Sequence, residues 1–289
     1  MTGLRVVDSH IHLWDFANGL DYSEWTGPEP HPHFGPVDVI GVEAWTADRM
    51  IREMRHADVT KAVFVQVAGP GSDSVAETRW VHEQAAVHGL VAAIVPQAEL
   101  SADRIEDALE QHLETSALVR GIRDRTLLGQ LADSRIDRSL EVLRRADLSW
   151  ELLSFLPDFE AAAERIRSHP ELRVVLDHCG LPDERTPAYF EAWRAGIRRL
   201  AANDNLWCKL SGLAMFDHEW TVDSIRPWVL EVLEVFGPGR CMFGGNFPIE
   251  RLFGSYDSMI SAYAEIMAGL SDAESTAVFE TNAETFYRI

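Results

Sequence analysis

Short apolar runs, many of them β-branched, recur along this chain at intervals that leave room for one helix between neighbours, and that repetition constrains the fold more than any other feature. The runs lie at 4–7, 61–67, 91–95, 118–122, 149–155, 173–176, 206–210 and 241–243. Between them, Ile105, Leu109 and Leu113 follow Ser101, Ile136, Leu140 and Leu143 follow Ser134, and Phe159, Ala162 and Ile166 follow Asp158. Apolar residues at that period, behind a capping residue, predict amphipathic helices. Strand then helix, repeated through 289 residues, predicts an α/β chain built as a (β/α)8 barrel, with residues 1–289 as one domain. A doubly wound open sheet is the rival, but no G-x-G-x-x-G opens the first helix. The first unit carries an extended loop, about 14–41, rich in Pro, Gly, Trp and His. It belongs at the C-terminal mouth of the barrel, where Trp14, Trp25 and Phe34 either line a substrate pocket or pack the loop onto the rim.

The first strand runs into Asp8-Ser9-His10-Ile11-His12. Alternation puts His10 and His12 side by side on one face, with Asp8 one step deeper. Imidazoles at that spacing can grip a divalent metal, and they can equally be hydrogen-bonded histidines at a strand end. Barrel enzymes assemble their sites from the ends of several strands. Here Arg123 closes the fourth strand, Asp177-His178-Cys179-Gly180 the sixth, Lys209-Leu210-Ser211-Gly212 the seventh and Gly244-Gly245-Asn246-Phe247-Pro248 the eighth. Each alone has an ordinary reading, as a satisfied core histidine, a rim charge or a turn-shaping Asn. Their convergence at one end of a barrel favours a site. His31-Pro32-His33 repeats the H-x-H spacing in a loop, where no strand aligns the rings, and is set aside.

Charge narrows the partners. With 46 acidic against 26 basic residues and a net charge of -20, the chain repels phosphate backbones and anionic lipid, so neither nucleic acid nor membrane is expected. A small-molecule substrate is expected, and homo-oligomerisation is left open. The three cysteines cannot all pair, and no charged segment followed by an apolar stretch begins the sequence, so the cytoplasm is the expected compartment. Cys179, next to His178, is expected to pack outward rather than act as a nucleophile.

Taken in order, D-S-H-I-H-L-W, G-I-R-D, D-H-C-G, K-L-S-G-L, R-C-M-F-G-G-N-F-P and N-A-E-T-F-Y resemble the amidohydrolase-2 family nearly end to end. Within it the chain is most similar to the sugar-lactone and 2-pyrone-4,6-dicarboxylate lactonase branch, TIM-barrel hydrolases that open lactone rings, some with a divalent metal and some without. The resemblance implies a lactonase. It implies His10, His12 and His178 as holders of zinc or manganese, or histidine polarising the carbonyl directly, with no organic cofactor. It implies a catalytic role for His178 and a substrate contact for Arg123, while their places at the mouth make Arg123, Lys209 and Asn246 further catalytic candidates and Trp14 and Lys209 further substrate-binding ones. Asn246 departs from the pattern, because hydrolytic relatives carry an Asp there, in G-S-D-W-P, as general base. A neutral amide takes no proton from water. The base is then Asp8, Asp124, Glu151, Asp177 or Glu250, or the chemistry is a metal-dependent decarboxylation that needs no such base, or the chain is a catalytically weakened binding protein.

Overall fold

The computed structural model describes residues 4–26, 30–31, 33–69 and 71–289. Eight strands alternate with eight main helices. The strands are β1 (Arg5–Ile11), β2 (Asp58–Val65), β3 (Val91–Val95), β4 (Gly121–Arg123), β5 (Ser149–Leu152), β6 (Val174–Leu176), β7 (Leu206–Leu210) and β8 (Cys241–Phe243). They are followed in turn by α1 (Ala47–Glu53), α2 (Ser74–His88), α3 (Ile105–Thr115), α4 (Arg135–Arg145), α5 (Phe159–Ser168), α6 (Pro187–Ala201), α7 (Val222–Phe236) and α8 (Tyr256–Ile266). Two of the apolar stripes read from sequence face the barrel, with Ile136, Leu140 and Leu143 of α4 and Phe159, Ala162 and Ile166 of α5 buried, whereas Leu113 of α3 stays 41% exposed; Trp228, Val229 and Val232 of α7 are buried as well. No helix among the described residues is long and apolar enough to cross a membrane.

All strand pairs are parallel, β1 through β3 in one run and β4 through β8 in another. Two seams join the runs. Ile94 N donates to Leu118 O at 2.9 Å and Arg120 N to Ile94 O at 3.0 Å, linking β3 to β4. Asn246 N donates to His10 O and His12 N to Phe247 O, both at 2.7 Å, linking β8 to β1. With both seams bonded the sheet has no free edge, and the fold is a (β/α)8 barrel.

Strand alternation sorts the core into two layers. Val7, Val63, Val65, Ala93, Val95, Val175 and Met242 fill the barrel, while Val6, Phe64, Ile94, Cys208 and Phe243 pack outward against the helices. The inner layer is closed from below by a C-terminal helix, α9 (Asn282–Tyr287), whose Ala283, Phe286 and Tyr287 belong to the same cluster. Polar side chains therefore collect near the strands' C-terminal ends, above this apolar plug.

At the mouth, Glu77 of α2 holds the segment after β2, accepting from Val67 N at 3.2 Å and Ala68 N at 2.8 Å. Burial raises its carboxyl from 4.5 to about 7, against the pull of those two amides. A folded pKa above the unfolded one means that its contribution is fully present below pH 4.5 and is lost as pH rises through 7. Glu77→Gln, which keeps an acceptor oxygen without the charge, should therefore gain stability relative to the parent as pH rises from 5 to 8, by up to about 3 kcal/mol. Urea unfolding across that range reads the difference, and a pH-independent gap would contradict it.

Candidate active site

Beneath the barrel mouth lies a layer of buried charge. Lys209 of β7 has a fully buried side chain and is bonded to the Glu151 carboxylate of β5. Tyr287 OH donates to the other Glu151 oxygen at 2.6 Å, and its ring lies 5.6 Å beneath the Lys209 ammonium. Lys209 Nζ is also 3.1 Å from Asp177 Oδ1 and 3.2 Å from His10 Nδ1. Arg123 caps the same group from above: Nη2 donates to Gln66 O at 2.6 Å, and Nη1 lies 3.3 Å from both Asp177 Oδ2 and His10 Nε2. Two carboxylates and two cations thus balance inside the barrel.

These surroundings set the protonation of each group. Burial raises Glu151 to about 7, with Lys209 pulling the other way. Burial alone would raise Asp177 too, but Lys209, His10 and His178 outweigh it and hold that carboxyl well below the usual carboxylate range. Burial pushes all three histidines down. His10 falls well below 6.5 with Lys209 adding to the effect, His12 likewise with Arg123 adding, and His178 to about 3 although Asp177 opposes the shift. At neutral pH the three imidazoles are uncharged.

A backbone partner fixes the tautomer of His12. His12 Nδ1 faces Val65 O at 2.8 Å, so that nitrogen carries the proton and Nε2 is left as an acceptor. His10 lies between two cations that only donate, with Arg123 Nη1 3.3 Å from Nε2 and Lys209 Nζ 3.2 Å from Nδ1, and Asp177 Oδ1 is 3.3 Å from Nδ1. His178 Nδ1 pairs with Ser211 Oγ at 2.8 Å.

Local backbone explains how neighbouring residues share the site. After Leu176 the chain leaves the strand, and His178 and Cys179 both take left-handed φ of 53°. Asp177 and His178 consequently both reach the centre, contrary to the regular alternation that would put Asp177 on the other face. Cys179 packs outward, as expected, with Sγ near Lys209 O. The His178 ring fits because Gly212 has no side chain: its φ is +68°, and a Cβ there would lie 2.6 Å from the ring. Gly212→Ala should lower the unfolding free energy by about 2 kcal/mol or more and displace His178. A urea midpoint within error of the parent would refute that packing argument.

Strand β1 also departs from simple alternation. Its register with β2 shifts between Asp8 and Ile11, so Val7 joins the inner layer and Asp8 does not lie beneath His10 and His12. Asp8 instead accepts from Tyr256 OH at 2.9 Å, Gly245 N at 2.8 Å and His10 N at 2.9 Å. A Cβ on Gly245 would approach Asp8 Oδ2 to 2.5 Å, so the β8 turn closes tightly over this carboxylate. Asp124 is likewise committed, to Leu100 N, Gln97 Nε2 and Thr126 N.

Above the charged layer opens a cavity of about 300 Å³ whose floor is His12, Arg123, His178 and Asn246. Asn246 holds φ of 51° and directs Nδ2 to Met215 Sδ at 3.3 Å. Behind it, Asn246 also bonds the buried Glu250, whose carboxyl burial raises to about 8. Glu250, like Asp8 and Glu151, is absent from the cavity lining. His10 and Lys209 are fully buried and lie below the floor rather than on it, so Lys209, expected to contact substrate, is not among the residues that line the cavity. Trp14 is corrected in the same way. It is fully buried, bridged to Trp45 by backbone and stacked on Trp25 at 6.1 Å, and it is Trp25 and Phe34 that line the cavity. His31 and His33, set aside on sequence grounds, line it too.

The donors that could hold a metal differ from the expected three histidines. His10, Asp177 and His178 each bring one donor atom within 4.8 Å of the others, and His12 lies outside that group. Two neutral imidazoles and a carboxylate suit a divalent ion. Asp177 Oδ1 is buried without a well-aligned hydrogen bond, despite its nearness to Lys209 and His10. The donor set therefore fits such an ion, in competition with Arg123 and Lys209 for the same atoms.

Comparison with known proteins follows this geometry. The family profile described as Amidohydrolase matches residues 7–289. An uncharacterised protein, y4mH of Sinorhizobium fredii, is 32% identical over 302 residues, covering 100% of both chains. The L-fucono-1,5-lactonase of Burkholderia multivorans is 29% identical over 314 residues, covering 100% of this chain and 97% of that one. A crystal structure of an amidohydrolase from Burkholderia multivorans with bound zinc superposes with a TM-score of 0.85 at 24% identity, over 98% of this chain and 99% of the other.

Proposed function

Because this chain belongs to the amidohydrolase family, we propose that it hydrolyses a small cyclic ester at the floor of the 300 Å³ cavity. The observation that carries the reading is a permanent cation, Arg123, set beside neutral imidazoles on one cavity floor. An ester needs positive charge where its carbonyl oxygen becomes an oxyanion and a lone pair where water loses its proton. Arg123 supplies the first; its Nε is buried without a partner. His12 Nε2 supplies the second, since Val65 O holds the proton on Nδ1. Water adds to the carbonyl carbon as its proton passes to His12. The ring carbon–oxygen bond then breaks, and that proton goes to the departing alkoxide, leaving a hydroxy acid. His178, fixed by Ser211 and Gly212, and Asn246 orient the water and the ester. Held by His10, Asp177 and His178, a divalent ion, zinc first, would add Lewis-acid polarisation of the carbonyl.

Asn246 gives a second reading its support. With no carboxylate at the strand-eight position of the floor, decarboxylation of an acid would need no water-activating base. Proton release in a pH-stat from lactones, set against carbon dioxide release from aromatic acids, separates the two, and the first is the expected result.

A further inference from the structure

The walls of the cavity differ in chemistry from its floor. Leu128, Leu153, Leu181 and Ile249 line its sides, and Phe155 and Phe216, with ring centroids 6.0 Å apart, stand on one side of the mouth. Opposite them the loop after β1 gathers three near-parallel rings, His31 being 5.5 Å from Trp25 and 4.1 Å from Phe34, with Trp25 and Phe34 5.9 Å apart. His33 bridges the two sides, its ring 6.2 Å from Phe155 and 5.8 Å from Phe216.

The charged groups in the lining are already matched. Arg125 forms a bidentate pair with Glu24 at 2.7 and 2.9 Å, and Glu24 takes His31 as well. Arg123 is engaged by Asp177 and Gln66 O, and in the hydrolytic reading what remains of its charge serves the ester carbonyl. Among the described residues no lining cation beyond Arg123 is left over for a substrate carboxylate, and Leu128, Leu153, Leu181 and Ile249 offer no partners for a ring bearing hydroxyls on several carbons. A polyhydroxylated or dianionic substrate would lose hydrogen bonds to water that this cavity does not replace. An apolar body gains from leaving water there.

Resting on the hydrolytic reading above, we infer that the substrate is an uncharged cyclic ester bearing an alkyl or aryl substituent, which lies between the Trp25–His31–Phe34 stack and Phe155 and Phe216. Only the ester group meets the polar floor.

The test compares kcat/KM for δ-nonalactone, which carries a butyl group, with unsubstituted δ-valerolactone and polyhydroxylated L-fucono-1,5-lactone. Each buried methylene favours binding roughly fourfold, so with partial burial δ-nonalactone should be preferred by about 30-fold or more over both. Phe155→Ala and Phe216→Ala should each narrow that preference about fivefold or more. Equal or better turnover of L-fucono-1,5-lactone would overturn the inference while leaving lactone hydrolysis standing. If no lactone is opened, the hydrolytic reading fails, and calorimetry with 6-butylpiperidin-2-one against piperidin-2-one still decides the substituent question. Tighter binding of the butyl lactam by about tenfold or more supports an apolar wall site, and equal binding refutes it.

Discussion

Lys209→Met should lower the unfolding free energy by about 3–5 kcal/mol at pH 7, the largest stability effect expected of any single substitution here. The ammonium is fully buried and shared by Glu151, Asp177 and His10, so its removal leaves two buried carboxylates facing Arg123 alone. Replacing both partners of a buried pair is milder than replacing one. The Glu151→Gln, Lys209→Met double variant should therefore recover part of the loss. Urea denaturation of the single and double variants measures this, and a double variant less stable than Lys209→Met would contradict a charge-balance role for Lys209.

The largest effects on turnover are expected at the floor. His12→Ala should reduce kcat/KM for an accepted lactone by roughly 10²–10⁴, and Arg123→Met by roughly 10²–10³. Circular dichroism and unfolding midpoints identify variants that remain folded. The pH profile adds a readout that a purely structural role would not move. Burial, with Arg123, holds His12 well below 6.5, so its base form persists as pH falls, and kcat/KM should stay flat from pH 8 to below pH 6. A decline centred near pH 6.5 would show a histidine in an ordinary environment and argue against the assignment.

Much of the barrel was legible because burial imposes a period. Strands β3, β7 and β8 begin and end where the apolar runs do, and the stripes of α4 and α5 face inward as the spacing requires. Residues at strand ends, His10, His12, Arg123, His178, Lys209 and Asn246, do gather at one end of the barrel. What the pattern missed came from departures from regular geometry. The register shift in β1 turned Asp8 toward Tyr256, and the left-handed turn at His178 brought Asp177 into the centre. Alternation names a face but not a depth, so nothing in the sequence separated Lys209, sealed below the floor, from Arg123, which forms it. The loop after β1 was harder still. Trp14, Trp25 and Phe34 are alike in composition, and three-dimensional stacking alone decides that Trp14 supports while Trp25 and Phe34 line the cavity.

If water opens a cyclic ester at this floor, an oxygen of that water ends in the product. The most direct measurement is turnover of the lactone panel in ¹⁸O-labelled water, with mass spectrometry of the product and an Arg123→Met, His12→Ala protein as control. The expected product is a hydroxy acid carrying one labelled oxygen in its carboxylate, formed by the parent protein and lost in the control. Unlabelled lactone recovered intact from the parent, or labelling equal in parent and control, would contradict hydrolysis at this floor.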